Sequence, residues 1–287
     1  MITVELMGGL GNQLFQIFAV IAHSLENNIP FFFISTPPTH GWRKQTYWET
    51  FLSGLAPYLD ITPNDNANIP FHVLDKTHFE YVPIPSQAGI SNKQHTKLYG
   101  YFQSYKYFHK HNETIFKMIS LRENQINIQK EWFGNLDLDK TISIHYRMGD
   151  YKALPEHHPI LTDEYYIRSL QEIISQSDTP LSNVLVVYES EDILVVQLRV
   201  QLLETHFPNL QFHYIGAKMK DWQQMLAMSV CRHNIIANST FSWFGAYFNR
   251  NHDKIVCYPQ TWFGYAQGNK CMEGLFPPSW IKIVLKQ

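Results

Sequence analysis

From residue 141 to residue 258, short apolar runs alternate with amphipathic stretches, and this alternation constrains the fold more than anything else in the chain. Residues 141–146, 183–188, 211–215, 234–237 and 254–258 are short and rich in apolar side chains, and they read as strands. Residues 162–175, 191–205, 221–231 and 239–249 between them read as helices, the first capped by Thr162 with Asp163 and Glu164 in its opening turn, where the helix dipole favours acids. A strand that must reach a parallel neighbour needs such a crossover helix. The alternation therefore predicts an α/β fold: a parallel sheet with helices on both faces and right-handed connections.

The first half is less regular. Residues 2–6 read as a strand, followed by a glycine turn and a helix with Leu14, Phe15, Ile17, Phe18, Ile21 and Leu25 at helical spacing; residues 31–34 read as a second buried strand. Residues 36–95 are loop-rich and give no order of elements. Residues 98–102 suggest another strand and 105–127 a helix. With 287 residues the chain has room for two domains, and the boundary is expected near 135–140, giving domains 1–138 and 139–287.

Hydrophobic residues make up 45% and charged residues 17% of the chain, which excludes a disordered chain. A net charge of -2 gives no field that favours nucleic acid or an anionic membrane, so any anion site must be local. Cys231, Cys257 and Cys271 form no C-x-x-C pair and read as free thiols rather than a disulfide framework or zinc site. Residues 14–25 are apolar, but no Lys or Arg precedes Arg43 and Glu26-Asn27-Asn28 is a poor cleavage site. A soluble, cytoplasmic protein without evident membrane association is expected.

Three segments carry chemistry. Gly8-Gly9-Leu10-Gly11-Asn12-Gln13 follows the first strand. It misses a dinucleotide fingerprint, because Leu14 replaces the third small residue and no acid closes the second strand at Ile34-Ser35-Thr36. A structural turn and a ligand-facing loop, with Asn12 able to donate and accept, both remain open. His145-Tyr146-Arg147-Met148-Gly149-Asp150 ends a strand, where open α/β sheets bind ligands. Arg147 can grip a diphosphate bidentately, or form a structural pair with Asp150. Asn238-Ser239-Thr240-Phe241-Ser242 joins a strand to a helix, whose unpaired first N–H groups suit an anion, or whose start Ser239 simply caps. Asn238-Ser239-Thr240 and Asn112-Glu113-Thr114 also match glycosylation sequons, unused in a cytoplasmic protein. Asp137-Leu138-Asp139 precedes a strand and reads as a solvated loop rather than a metal site, and adjacent His157-His158 suits no single-face site.

Residues 8–16, 145–151 and 233–245 together resemble the α-1,2-fucosyltransferases, glycosyltransferase family 11. The resemblance implies a GT-B-like fold, with two Rossmann-type domains facing across a cleft: an N-terminal acceptor-side domain and a C-terminal GDP-fucose-binding domain. It also implies GDP-fucose as donor, a glycan ending in β-galactose as acceptor, inversion at the anomeric carbon, and no metal or other cofactor. Arg147 matches the first arginine of the H-x-R-R-x-D motif and would meet the donor phosphates, while Met148 replaces the second. Gly11, Asn12, His145, Asn238, Ser239, Thr240 and Phe241 would line the donor, and Asp221 would read guanine. Asp150, or failing it Glu156 on the same loop, would act as base. Trp42, Tyr47 and Trp48 could stack on sugar or belong to the core. Two other readings stay open: a sugar-nucleotide dehydrogenase or epimerase, and a non-catalytic nucleotide- or carbohydrate-binding module.

Overall fold

The computed structural model of the chain describes residues 1–35, 45–60, 71–75, 79–90, 94–215, 219–268 and 270–285. The chain forms two compact units, Met1–Arg122 with Lys270–Pro277 and Glu123–Asn269 with Pro278–Gln287. This divides the chain at 122/123, not at the expected 138/139. The reason lies in helix α3 (Leu121–Trp132), whose buried Gln125 donates to Ser229 Oγ at 2.8 Å and to the Phe248 carbonyl at 3.0 Å, both in the second unit. The segment Lys270–Pro277 returns to the first unit, where Ser104 Oγ donates to the Gly274 carbonyl at 2.6 Å.

The first unit holds a parallel sheet of β1 (Ile2–Val4), β2 (Phe71–Asp75) and β3 (His95–Tyr99), in the order β1-β3-β2. The strand expected at 31–34 is reduced to single parallel bridges, Phe31 to Ile2 and Phe33 to Leu59. Helix α1 (Leu10–Asn27) is buried along most of its length, its buried polar side chains Gln13, Gln16, His23 and Ser24 each hydrogen-bonded to backbone, and ends at Asn28 in the left-handed conformation. Phe15 and Phe18 of α1 pack on Phe108 with ring centroids 5.7 and 5.4 Å apart. The helix expected over 105–127 is interrupted: two 3-10 turns lead into α2 (Asn112–Met118), and Ser120 at φ 48° separates it from α3. Trp48 is buried and stacks on Phe33, so it is core rather than a sugar platform; Trp42 lies outside the described residues.

The second unit contains β4 (Thr141–His145), α4 (Asp163–Gln176), β5 (Asn183–Val187), α5 (Ile193–His206), β6 (Gln211–Ile215), α6 (Asp221–Ser229), β7 (His233–Ile235), α7 (Thr240–Tyr247), β8 (Val256–Pro259) and β9 (Ile281–Ile283). Every strand is parallel and the order is β6-β5-β4-β7-β8-β9. β9 extends the sheet beyond the last strand read from sequence. All five residues of β4 and of β5 are buried, as central strands covered on both faces require. Tyr165 and Tyr166 of α4 join this core, their hydroxyls donating to the Ile236 and His145 carbonyls at 2.6 and 3.0 Å. Thr162 stands at the helix N-cap without a side-chain capping bond; Asp163 takes the charged contact instead, from Arg199 Nε at 2.5 Å. Cys231 and Cys257 are buried free thiols and Cys271 an exposed one. Among the described residues no helix is long and apolar enough to cross a membrane.

Two imidazoles are buried in the strands of this sheet. His233 accepts from the Ile255 N–H through Nδ1 and faces Ser177 Oγ through Nε2, both at 3.0 Å. Burial, with Arg232 adding to it, pushes its pKa down to about 4; burial and then Arg147 push His145 down to about 3. Both fold as neutral rings, whereas the unfolded chain protonates them near pH 6.5. Their contribution is therefore complete above pH 6.5 and lost as pH falls toward the folded values, at up to about 1.4 kcal/mol per pH unit for each ring. Urea unfolding is expected to show markedly lower stability at pH 5 than at pH 7.5; equal midpoints would contradict the buried neutral state.

Candidate active site

Numbered within the second unit alone, the strand order is 3-2-1-4-5-6, and the chain leaves β4 and β7 toward opposite edges of the sheet. Between two such strands no crossover covers the carboxyl ends, so a crevice opens there. The segments after these two strands are the two singled out from sequence in this half: His145–Asp150 after β4 and Asn238–Phe241 after β7.

Arg147 is the centre of the first segment, with its side chain only 18% exposed. Nη1 is paired with Glu189, Nη2 meets Asp150 Oδ1 at 2.5 Å, and Cζ lies 4.9 Å from the centre of the Tyr151 ring. Burial alone would depress the arginine, but Glu189, Tyr151 and Asp150 outweigh it and hold the guanidinium charged. Tyr151 in turn donates its hydroxyl to the Asn238 carbonyl at 3.0 Å and stacks on His158. The ring of His145 packs on Phe241 at 5.2 Å. Arg147 is thus joined to the start of α7 by one tyrosine, and His145 by a direct ring contact.

At that start, Ser239 is an N-cap, its Oγ accepting from the Phe241 N–H at 3.3 Å. The capping reading therefore holds for the Ser239 hydroxyl, while the helix end still directs N–H dipoles outward. Asn238 is buried and donates to the Pro159 and Trp262 carbonyls, which removes it as a glycosylation site. Among the described residues, three buried polar atoms here find no hydrogen-bond partner: His145 Nδ1, Arg147 Nε and Asn238 Oδ1. Clustered unsatisfied groups at a sheet crevice mark where a polar ligand belongs.

The loop carrying Arg147 is itself tied down. Asp192, fully buried, accepts from the Gly149 N–H at 2.8 Å and pairs with Lys152. Gly149 has φ +20°, and a Cβ there would overlap the Glu189 carboxylate. Met148 lies in the hydrophobic core, its sulfur 4.0 Å from Arg199 Nη1, so the position of the second motif arginine is apolar here. Glu156 faces His157 at 3.9 Å; of the two candidate bases only Asp150 touches Arg147. Asp221 opens α6 after the edge strand β6, two strands from β4, and accepts from the Trp222 N–H. Asp137 pairs with Lys140 at the amino end of β4, the opposite edge. Among the described residues no cluster of His, Cys, Asp and Glu is arranged to hold a metal ion.

Glu189 and Asp192 were missed from sequence. Their signal was present: Glu189-Ser190-Glu191-Asp192 is an acidic run directly after the buried strand beside β4.

Gly11 and Asn12 belong to the first unit. Gly8, at φ +74°, leaves room for Asn12 Nδ2, which would lie 2.5 Å from a Cβ there. Buried glutamines hold the turn: Gln13 Nε2 donates to the Gly8 carbonyl at 2.9 Å, and Gln16 Oε1 accepts from the Met7 N–H at 2.9 Å. Gln103, just past β3, donates to Asn12 Oδ1 at 2.8 Å and fixes which way that amide faces.

Gly149→Ala is expected to lower stability by about 1–3 kcal/mol, through the strained backbone at φ +20° together with displacement of the Glu189 carboxylate. Adding Glu189→Ala removes the obstructing carboxylate, so the double variant should lose less than the sum of the single losses in a urea double-mutant cycle. Strict additivity would contradict the packing described.

The profile of glycosyl transferase family 11 matches residues 1–284. An O-antigen biosynthesis glycosyltransferase WbnK of Escherichia coli is 30% identical over 65% of this chain and 60% of its own length. An alpha-1,2-colitosyltransferase of Escherichia coli is 26% identical over 98% of both chains. A galactoside 2-alpha-L-fucosyltransferase of Caenorhabditis elegans is 25% identical over 99% of this chain and 79% of its own. The sheet order, the two segments at its reversal and this full-length match agree, and the chain belongs to glycosyltransferase family 11.

Proposed function

We propose that this glycosyltransferase transfers L-fucose from GDP-fucose to the 2-hydroxyl of a terminal β-galactose in a glycan, with inversion and without a metal. The observation that carries the reading is the convergence of Arg147 and the α7 start on one sheet crevice, linked through Tyr151. As the glycosidic bond to fucose breaks, negative charge grows on the GDP diphosphate. A fixed guanidinium and a helix N-terminus stabilise that charge without reorganising. Neutral His145 and Asn238 supply the unsatisfied polar atoms that would meet the donor. Asp221 is assigned to guanine, and Gly11 and Asn12 to further donor contacts, in a GT-B arrangement. Family membership sets aside the dehydrogenase and epimerase reading.

Asp150 is the base in this proposal. It is well exposed, and its contact with Arg147 fixes its direction toward the space where an acceptor hydroxyl would deliver its proton. Glu156 is the second candidate. The relative named for colitosyl transfer, aligned over 98% of both chains, supports a second donor, a colitosyl group carried at the same site.

Incubation with GDP-fucose and a panel of β-galactosides should give an α-1,2-linked product whose yield is unchanged by a chelator. Arg147→Ala should lower turnover on the order of 100-fold or more. Near-normal turnover of that variant would remove the role given to Arg147, and transfer only from a colitosyl donor would favour the second reading.

A further inference from the structure

Arg147 faces more acid than it can balance. Glu189 is paired with Nη1 and Asp150 with Nη2, so one guanidinium meets two carboxylates, and Lys152 on the same loop is taken by Asp192. A nucleotide diphosphate would bring further negative charge to this fork. Like charges in contact repel, so the diphosphate cannot simply join the set, and one acid has to give up its N–H groups. The geometry of the fork says which. Nε finds no partner among the described residues, and Nε and Nη2 lie along one edge of the planar guanidinium. Departure of Asp150 opens that whole edge to a phosphate held by two parallel bonds, whereas departure of Glu189 opens Nη1 alone.

The two acids are also held differently. β4 and β5 pair His145 with Val187, and the Tyr146 N–H donates to the Val187 carbonyl at 2.8 Å, so the strand ladder itself brings Glu189 beside Arg147. The Glu189 carbonyl accepts from the Asp192 N–H at 2.8 Å, and its carboxylate fills the space that a side chain at Gly149 would need. Asp150 lies instead on a 3-10 turn, Gly149–Ala153, with its side chain 65% exposed against 31% for Glu189. Among the described residues, Arg147 is the one hydrogen-bond partner of the Asp150 carboxylate.

We propose that the donor diphosphate replaces Asp150 on the Nε–Nη2 edge of Arg147 while Glu189 keeps Nη1, which makes Glu189 a positioning residue of the transfer reaction. The inference rests on the transfer proposed above. Because Glu189 never lets go, the guanidinium stays aimed through the exchange, as a preorganised cation must. The exchange also frees Asp150 Oδ1 from Nη2, so the proposed base becomes available to the acceptor hydroxyl once the donor is in place.

Calorimetric titration of the full chain with GDP tests the exchange. Asp150→Ala removes the competitor and should tighten GDP about fivefold or more. Glu189→Gln removes a carboxylate charge but keeps an oxygen for Nη1, and should change GDP affinity less. Unchanged or weaker binding by Asp150→Ala would overturn the proposal, as would equal tightening by both variants, which charge alone explains. Transfer kinetics test the positioning role. Glu189→Ala should lower kcat on the order of tenfold or more, and Glu189→Gln should recover most of that loss. In an Arg147→Ala background, Glu189→Ala should bring no further fall in kcat/KM. A further fall of the same size would mean that Glu189 acts apart from Arg147 and would overturn that role. Should the chain show the Asp150→Ala gain for GDP yet transfer no fucose, the transfer reading fails while the exchange at Arg147 stands.

Discussion

The second unit is organised around one mostly buried guanidinium. Arg147 sits at the end of a strand covered on both faces, where a charge is costly unless it is paired and hydrogen-bonded. Glu189 and Asp150 supply the pairing and Tyr151 supplies a ring to lie on. That arrangement dictates the rest of the loop. Residue 149 must be small because the Glu189 carboxylate occupies the space of a side chain, and Asp192 must hold the Gly149 N–H because the turn is tight. The result is a cation fixed in direction before any ligand arrives, which is what stabilising a developing charge requires.

The sheet supplies the place. A parallel sheet whose connections reverse between β4 and β7 leaves one gap on its carboxyl edge, and the chain puts its guanidinium on one side and a helix N-terminus on the other. Tyr151 spans them through its ring and its hydroxyl. The glycine-rich turn of the first unit follows the same logic by other means. Buried Gln13 and Gln16 bond the turn backbone, so these polar residues serve the fold, and Asn12 takes a hydrogen bond from Gln103.

Much of the second unit could be read from its residues, because runs such as Val184–Val187 flanked by helical stretches have one physical solution. The first unit resisted for an equally physical reason. Its strands are held by β1 and β3 pairing across most of that unit's sequence, and a run such as Phe31-Phe32-Phe33 is spent on bridges and ring contacts instead of a ladder. Arg147, His145 and Ser239 stood out by residue type and by position at strand ends. Glu189 did not, because its meaning comes from β5 lying beside β4, a pairing that residue order alone does not state. The domain boundary moved for the same cause: Gln125 reads as an ordinary surface glutamine until Ser229 and the Phe248 carbonyl are found around it.

The central claim is that a diphosphate lies between Arg147 and the first turn of α7. A crystal structure of the chain with GDP tests it most directly. The diphosphate oxygens are expected within hydrogen-bonding distance of the Arg147 guanidinium and of backbone N–H groups at Ser239–Phe241. Well-ordered GDP bound elsewhere, with the Arg147–Glu189–Asp150 cluster untouched, would contradict it.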